Sequence, residues 1–157
     1  MFNRATLPMK SRWSRLTALG SGMLLSLAMT LNTPAHAIGT SYNGQDPQAT
    51  GCAKSAVTKA YADGNGFVIE FRWSNSCLTA WARIFVEHGA TDSPAAEIIA
   101  ETAGSHQVVA AYACHNLSYY DSTYSECYTP MVFDGSGYLA EAYGVNGPGT
   151  GVSVGWF

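Results

Sequence analysis

Four cysteines, Cys52, Cys77, Cys114 and Cys127, are the residues of this chain best suited to covalent chemistry. An even number of cysteines in a short chain that carries an export signal, described below, reads as a disulfide framework. The sequence holds no C-x2-C pair and its histidines are scattered, so neither a zinc site nor any other metal or cofactor is expected. Four cysteines allow three pairings. The pairing taken is Cys52–Cys77, which ties the N-terminal segment to a turn, with Cys114–Cys127, which closes a 12-residue insert, residues 115–126. One such bridge contributes roughly 3 kcal/mol by restricting the unfolded chain.

The insert is the best candidate for a binding loop. Tyr112, Tyr119, Tyr120, Tyr124 and Tyr128 fall within 17 residues, interleaved with Ser118, Ser122 and Ser125. Tyrosine supplies rigid amphipathic contact area and serine adaptable hydroxyls, the composition of recognition surfaces. Exposed tyrosines also stack on sugar rings. Packing of the same rings over the end of a small domain is the competing explanation. Asn116-Leu117-Ser118 matches a glycosylation sequon, a short motif that often occurs by chance.

Catalytic patterns are weaker, and no catalytic residue is assigned. His88, His106 and His115 are candidate bases, but a triad needs a nucleophile within hydrogen-bond reach. Ser105 and His106 are adjacent, which sends their side chains to opposite faces of an extended segment. Gly135-Ser136-Gly137 lacks the spacing of a nucleophile elbow. Glu70 and Glu87 on neighbouring strands could form a glycosidase pair, but so could many pairs among eleven acids. Asp134 with Gly135-Ser136-Gly137 reads as a hairpin turn more readily than as a cation site. The phosphate-binding pattern G-x-x-x-x-G-K-[ST] does not occur.

The elements that must position these residues are strands. Phe67, Ile69, Phe71 and Trp73 alternate with Glu70 and Arg72. After the Ser74-Asn75-Ser76 turn, residues 78–88 place Leu78, Ala80, Ala82, Ile84 and Val86 on one face and Trp81, Arg83, Phe85 and Glu87 on the other. The two runs read as an antiparallel hairpin. Residues 95–102 and 107–114 flank a turn at Ala103-Gly104-Ser105. Residues 128–134 and 138–144 flank Gly135-Ser136-Gly137, and residues 152–157 close the chain. Pro130 is expected at an edge or at the start of its strand. Residues 52–62 fit a short helix or a strand equally. Short runs, period-two patterning and glycine turns predict an all-β fold, a small disulfide-bonded antiparallel sandwich or barrel.

Residues 1–37 read as a secretory signal peptide. Arg4, Lys10, Arg12 and Arg15 precede an apolar run from Leu16 to Leu31, and Ala35-His36-Ala37 fits the cleavage pattern. Residues 38–157 are then one secreted β domain, extracellular or periplasmic, with no membrane span after cleavage. Removing the leader leaves four basic residues, Lys54, Lys59, Arg72 and Arg83, against eleven acidic ones, so the net charge falls from −3 to −7. No Lys or Arg follows Arg83. Such a domain repels phosphate backbones, so nucleic acid is excluded as a partner. An unknown extracellular protein or glycan is expected instead, with the domain a monomer.

Four motifs, NGQDPQATGC (residues 43–52), EFRWSNSC (70–77), TAWAR (79–83) and YTPMVFD (128–134), resemble the YjfA-like family of secreted bacterial domains of unknown function. The resemblance covers nearly the whole of residues 38–157 and brings no catalytic residues with it. It implies a Cys52–Cys77 disulfide and gives Trp81 and Arg83 as structural signatures. Glu70, Arg72 and Arg83 lie on strands expected to pair, where cross-strand opposite charges are favourable and a bidentate Arg–carboxylate pair more so. Trp81 is expected to be the aromatic neighbour of Arg83. The face is expected to be packed, not catalytic. The function expected is a non-enzymatic binding or envelope-associated module. A small extracellular hydrolase acting on polysaccharide or peptide, and an inhibitor of an extracellular enzyme, are the alternatives.

Overall fold

The computed structural model describes residues 40–90, 93–149 and 151–157. The signal peptide expected at residues 1–37 lies outside the described residues. Among the described residues, two 3-10 turns, Thr40–Tyr42 and Cys52–Ser55, are followed by ten strands. These are β1 Ala56–Gly64, β2 Phe67–Ser74, β3 Thr79–Glu87, β4 Pro94–Thr102, β5 Val108–Cys114, β6 Ser118–Tyr119, β7 Tyr124–Tyr128, β8 Val132–Phe133, β9 Tyr138–Asn146 and β10 Val152–Gly155. One sheet runs β1-β2-β3-β7-β6, with β8 also paired to β3; the other runs β10-β9-β4-β5. The described strands pair antiparallel. The fold is an all-β sandwich and not a closed barrel.

The period-two pattern builds the core. Phe67, Ile69 and Phe71 of β2 and Ala80, Ala82, Ile84 and Val86 of β3 are buried on the inner face of the first sheet. Ala96, Ile98 and Ala100 of β4 and Ala140 and Ala142 of β9 meet them from the second. Large side chains on one sheet are matched by small ones on the other, which lets the layers interdigitate. The layers come close at Gly144, where an added Cβ would sit 2.8 Å from the Phe67 ring and 2.9 Å from Ile69 Cβ.

The β2–β3 hairpin forms as expected, and its register sets Ile69 opposite Ile84 and Glu70 opposite Arg83. The β4–β5 hairpin is also as read. The ambiguous segment at 52–62 divides into a 3-10 turn and β1.

Three expectations need correction. The run 128–134 is not one strand. It breaks between β7 and β8, where Thr129 Oγ1 accepts the Ala82 amide at 3.1 Å and Pro130 has no amide to donate. Gly135-Ser136-Gly137 is not a hairpin turn. It lies on the crossover from β8 in the first sheet to β9 in the second, closed by a Tyr138 N–H to Gly135 carbonyl bond of 3.0 Å. The insert at 115–126 is not all loop, because β6 and most of β7 fall in it and β7 pairs with β3 inside the first sheet.

Both disulfides join the expected cysteines. Cys52–Cys77 lies in a second cluster with Tyr42, Trp81 and Met131, on the outer side of β3. Here the N-terminal segment covers the first sheet. The Gly44 N–H donates to the Met131 carbonyl and the Met131 N–H to the Gln45 carbonyl, both at 2.9 Å. The Phe133 amide donates to Asn43 Oδ1 at 2.6 Å. Cys114–Cys127 joins β5 of one sheet to β7 of the other.

Candidate functional site

Odd-numbered residues of β3 and their cross-strand partners project outward from the first sheet, and the candidate groups gather there. Arg83 Nε donates to Glu70 Oε2 at 2.9 Å, and Arg83 Nη2 lies 2.7 Å from the same oxygen. The expected bidentate pair is therefore a convergence of two donors on one oxygen. Arg72 lies 3.9 Å from Glu70 and donates to Thr58 Oγ1 at 2.6 Å. Burial, followed by the like charge of Arg83, lowers the Arg72 pKa, while Glu70 opposes the change.

The sequence did not reveal a fourth member, Glu126. Its Oε2 is buried and has no hydrogen-bond partner among the described residues, with Arg83 Nη1 3.8 Å away. Arg72, Trp81, Arg83, Glu126 and Tyr128 line a cavity of about 150 Å³, closed on one side by residues 48–54. Burial, then the negative charges of Asp46 and Glu126, raises the Tyr128 pKa. The aromatic partner of Arg83 is Phe85, its guanidinium 4.5 Å from that ring. Trp81 lines the same cavity as Arg83 while being itself buried against the N-terminal segment.

Beyond Phe85 the tyrosine hairpin begins. Tyr120 packs edge-on against Phe85 with centroids 4.9 Å apart, and Tyr124 does so at 6.3 Å. Tyr119 stacks on His88 at 5.6 Å. Asp121 holds the turn, its Oδ1 accepting the Thr123 and Tyr124 amides at 2.7 and 2.8 Å. These two donors lower the pKa of the Asp121 carboxyl. The five tyrosines thus separate. Tyr119 and Tyr120 are 73% and 50% exposed. Tyr124 is half-buried against Phe85, and Tyr128 belongs to the charged cavity. Tyr112 sits on β5 against the main core, its ring under Gly44. Phe85 and His88 were not singled out as aromatic partners from the sequence; their signal was two-residue spacing from Arg83 and a strand-end position.

The other candidates do not converge. His106 Nδ1 pairs with Glu101 Oε2 at 3.2 Å, while Ser105 Oγ bonds Thr102 Oγ1 at 2.5 Å. Neighbours in sequence therefore serve different partners. Asn116 of the sequon is exposed, beside a cavity that Cys114, His115 and Cys127 also line. No group of three or more His, Cys, Asp or Glu that could hold a metal ion occurs among the described residues. Nor does any helix there reach the length and apolarity needed to cross a membrane.

The sandwich, its two bridges and the covered outer face lie largely within residues 40–143, the span matched by the model of a family described as a protein of unknown function, DUF2690. The chain belongs to this family. It is also similar to the uncharacterized protein YjfA of Bacillus subtilis (strain 168), at 31% identity over 131 residues, covering 76% of this chain and 80% of that protein. The family span takes in both disulfides and the tyrosine hairpin. No solved structure matches the chain.

Proposed function

We propose that this chain is exported and acts as a non-enzymatic binding module, taking an extracellular glycan or protein on the tyrosine hairpin. The observation that carries this reading is the exposure of Tyr119 and Tyr120 on a hairpin whose backbone is already fixed. The Asp121 turn holds its tip, pairing with β3 holds one strand and Cys114–Cys127 anchors that strand to the second sheet. Rigid exposed aromatics lose little entropy on binding. The acidic domain, the two bridges and the leader-like residues 1–37 support an oxidising, extracytoplasmic setting.

The test is a pull-down of the disulfide-bonded protein against purified cell wall and culture supernatant. Tyr119→Ala with Tyr120→Ala is expected to abolish retention while the thermal melt falls by only a few degrees, the scale of the lost Phe85 and His88 ring contacts. Retention unchanged by this double substitution would remove the hairpin from the reading. The same anchored hairpin also supports inhibition of an extracellular enzyme, in which case the retained species is that enzyme and its activity falls on addition of the protein.

A further inference from the structure

A separate cavity of about 250 Å³ lies between the crossover after β8 and strands β1 and β2. Phe71, Trp73, Tyr138 and Phe157 form its aromatic walls, and Asp134 and Lys59 are its charged groups. The backbone of Asp134 is fixed on both sides: its N–H donates to the Leu78 carbonyl at 2.9 Å, and its carbonyl accepts Trp73 Nε1 at 3.5 Å. The residue is only 8% exposed, and Lys59 is the cationic group that shares its cavity. Taking a carboxylate largely out of water is costly unless a cation or donor arrives. Burial accordingly pushes its pKa up to about 6, with the Lys59 ammonium acting the other way.

Lys59 shows what the walls accept. Its Nζ lies 4.4 Å from the centre of the Trp73 ring, on an otherwise exposed side chain. An anion and aromatic faces around one small space are the requirements of an organic cation. The volume is below the roughly 300 Å³ at which drug-sized sites begin, so the space suits a head group and not a whole large ligand.

We propose that this cavity receives a compact organic ammonium group, with Lys59 as the internal occupant that the ligand displaces. Asp134 supplies the counter-charge, and Trp73 and Tyr138 supply the faces. The site goes beyond the tyrosine hairpin, shares no residue with it and predicts a different ligand chemistry. The titratable groups facing Asp134 across the cavity are Lys59 from β1 and Tyr138 from β9.

The experiment is a titration of the oxidised protein with choline chloride and with its neutral isostere 3,3-dimethylbutan-1-ol, read by the Trp73 indole N–H signal in NMR. Choline is expected to saturate and to bind more tightly than the isostere. The ionised fraction of a carboxyl titrating at about 6 makes binding about ten-fold weaker at pH 5 than at pH 7. Lys59→Ala is expected to tighten binding about three-fold by removing the competing ammonium, the scale of an exposed cation–π contact. Asp134→Asn is expected to erase the preference for choline. Should that variant misfold, the pH series on the unmodified protein carries the same information. Absence of saturation in both the unmodified protein and Lys59→Ala overturns the proposal. So does equal affinity for the isostere, or a saturating response to N-acetylglucosamine in place of choline. Tyr119→Ala is expected to leave choline binding unchanged, so the two sites fail independently.

Discussion

Replacing Arg83 with alanine tests whether the outer face of the first sheet is held by charge or kept for a ligand. Arg83 makes two contacts to Glu70 Oε2, at 2.9 and 2.7 Å, and lies 3.8 Å from Glu126. Removing it leaves the Glu70 and Glu126 carboxylates without their shared partner, with Arg72, 3.9 Å from Glu70, as the remaining guanidinium. A hydrogen bond to a charged group is worth about 1.5–3 kcal/mol, and stranding one partner of a fully buried pair costs about 3–5 kcal/mol. The pair here is 25% and 18% exposed, so water screens part of the loss. A cost of about 2 kcal/mol follows, a fall in Tm of roughly 8 °C for a domain of this size. The assay is thermal unfolding followed by circular dichroism, with Glu70→Gln and the double variant completing a mutant cycle. The double variant is expected to lose clearly less than the two single losses added. A Tm within a degree of the unmodified protein refutes the structural account. An unchanged melt together with lost ligand retention would make Arg83 a binding residue.

Two more expectations rest on other parts of the fold. The carboxyl of Asp134 titrates near 3.8 when unfolded and at about 6 when folded, so the folded state holds its proton longer. Stability is therefore greatest below pH 4 for this group and falls as pH rises through 6, by up to about 2 kcal/mol once exposure to the cavity is allowed for. Asp134→Asn should flatten that part of the pH–stability profile in urea unfolding, and an unflattened profile would show that another group is responsible. Replacing Cys114 and Cys127 together with alanine removes a bridge spanning 13 residues of sequence, worth about 3 kcal/mol. Denaturant midpoints check this, and a loss under 1 kcal/mol would mean the hairpin and crossover hold without it.

The strands legible in the sequence were those with one apolar face. Phe67, Ile69 and Phe71 of β2 and Ala80, Ala82, Ile84 and Val86 of β3 recur at every second position, so the pairing of the two strands and a cross-strand Glu70–Arg83 contact could be read from them. β7 was hidden because only Cys127 of its five residues is buried, and tyrosine, serine and glutamate look alike in a loop and on a half-covered sheet. Glu126 was therefore missed as a member of the charged cluster. Trp81 was placed on the correct face as a structural residue, but its burial under the N-terminal segment was not legible, because nothing local shows that residues 40–55 fold over that face. The cavity at Asp134 draws on β1, β2, the β8–β9 crossover and the last residue, positions that only tertiary structure brings together. Its aspartate had been read as part of a hairpin turn.

The two bridges differ in what their formation records. Cys52–Cys77 closes beside the β2–β3 hairpin and needs only the first sheet and the segment that covers it. Cys114–Cys127 has one sulfur on each sheet, yet its partners are 13 residues apart in sequence against 25 for the first bridge, so its shorter loop closes at the lower entropic cost even before the layers dock. During oxidative refolding the second bridge therefore acts as a staple that keeps β5 beside β7 while the sheets come together. Quenching the reaction with an alkylating agent and weighing the trapped species would show Cys114–Cys127 as the first one-bridge species, ahead of the native pair.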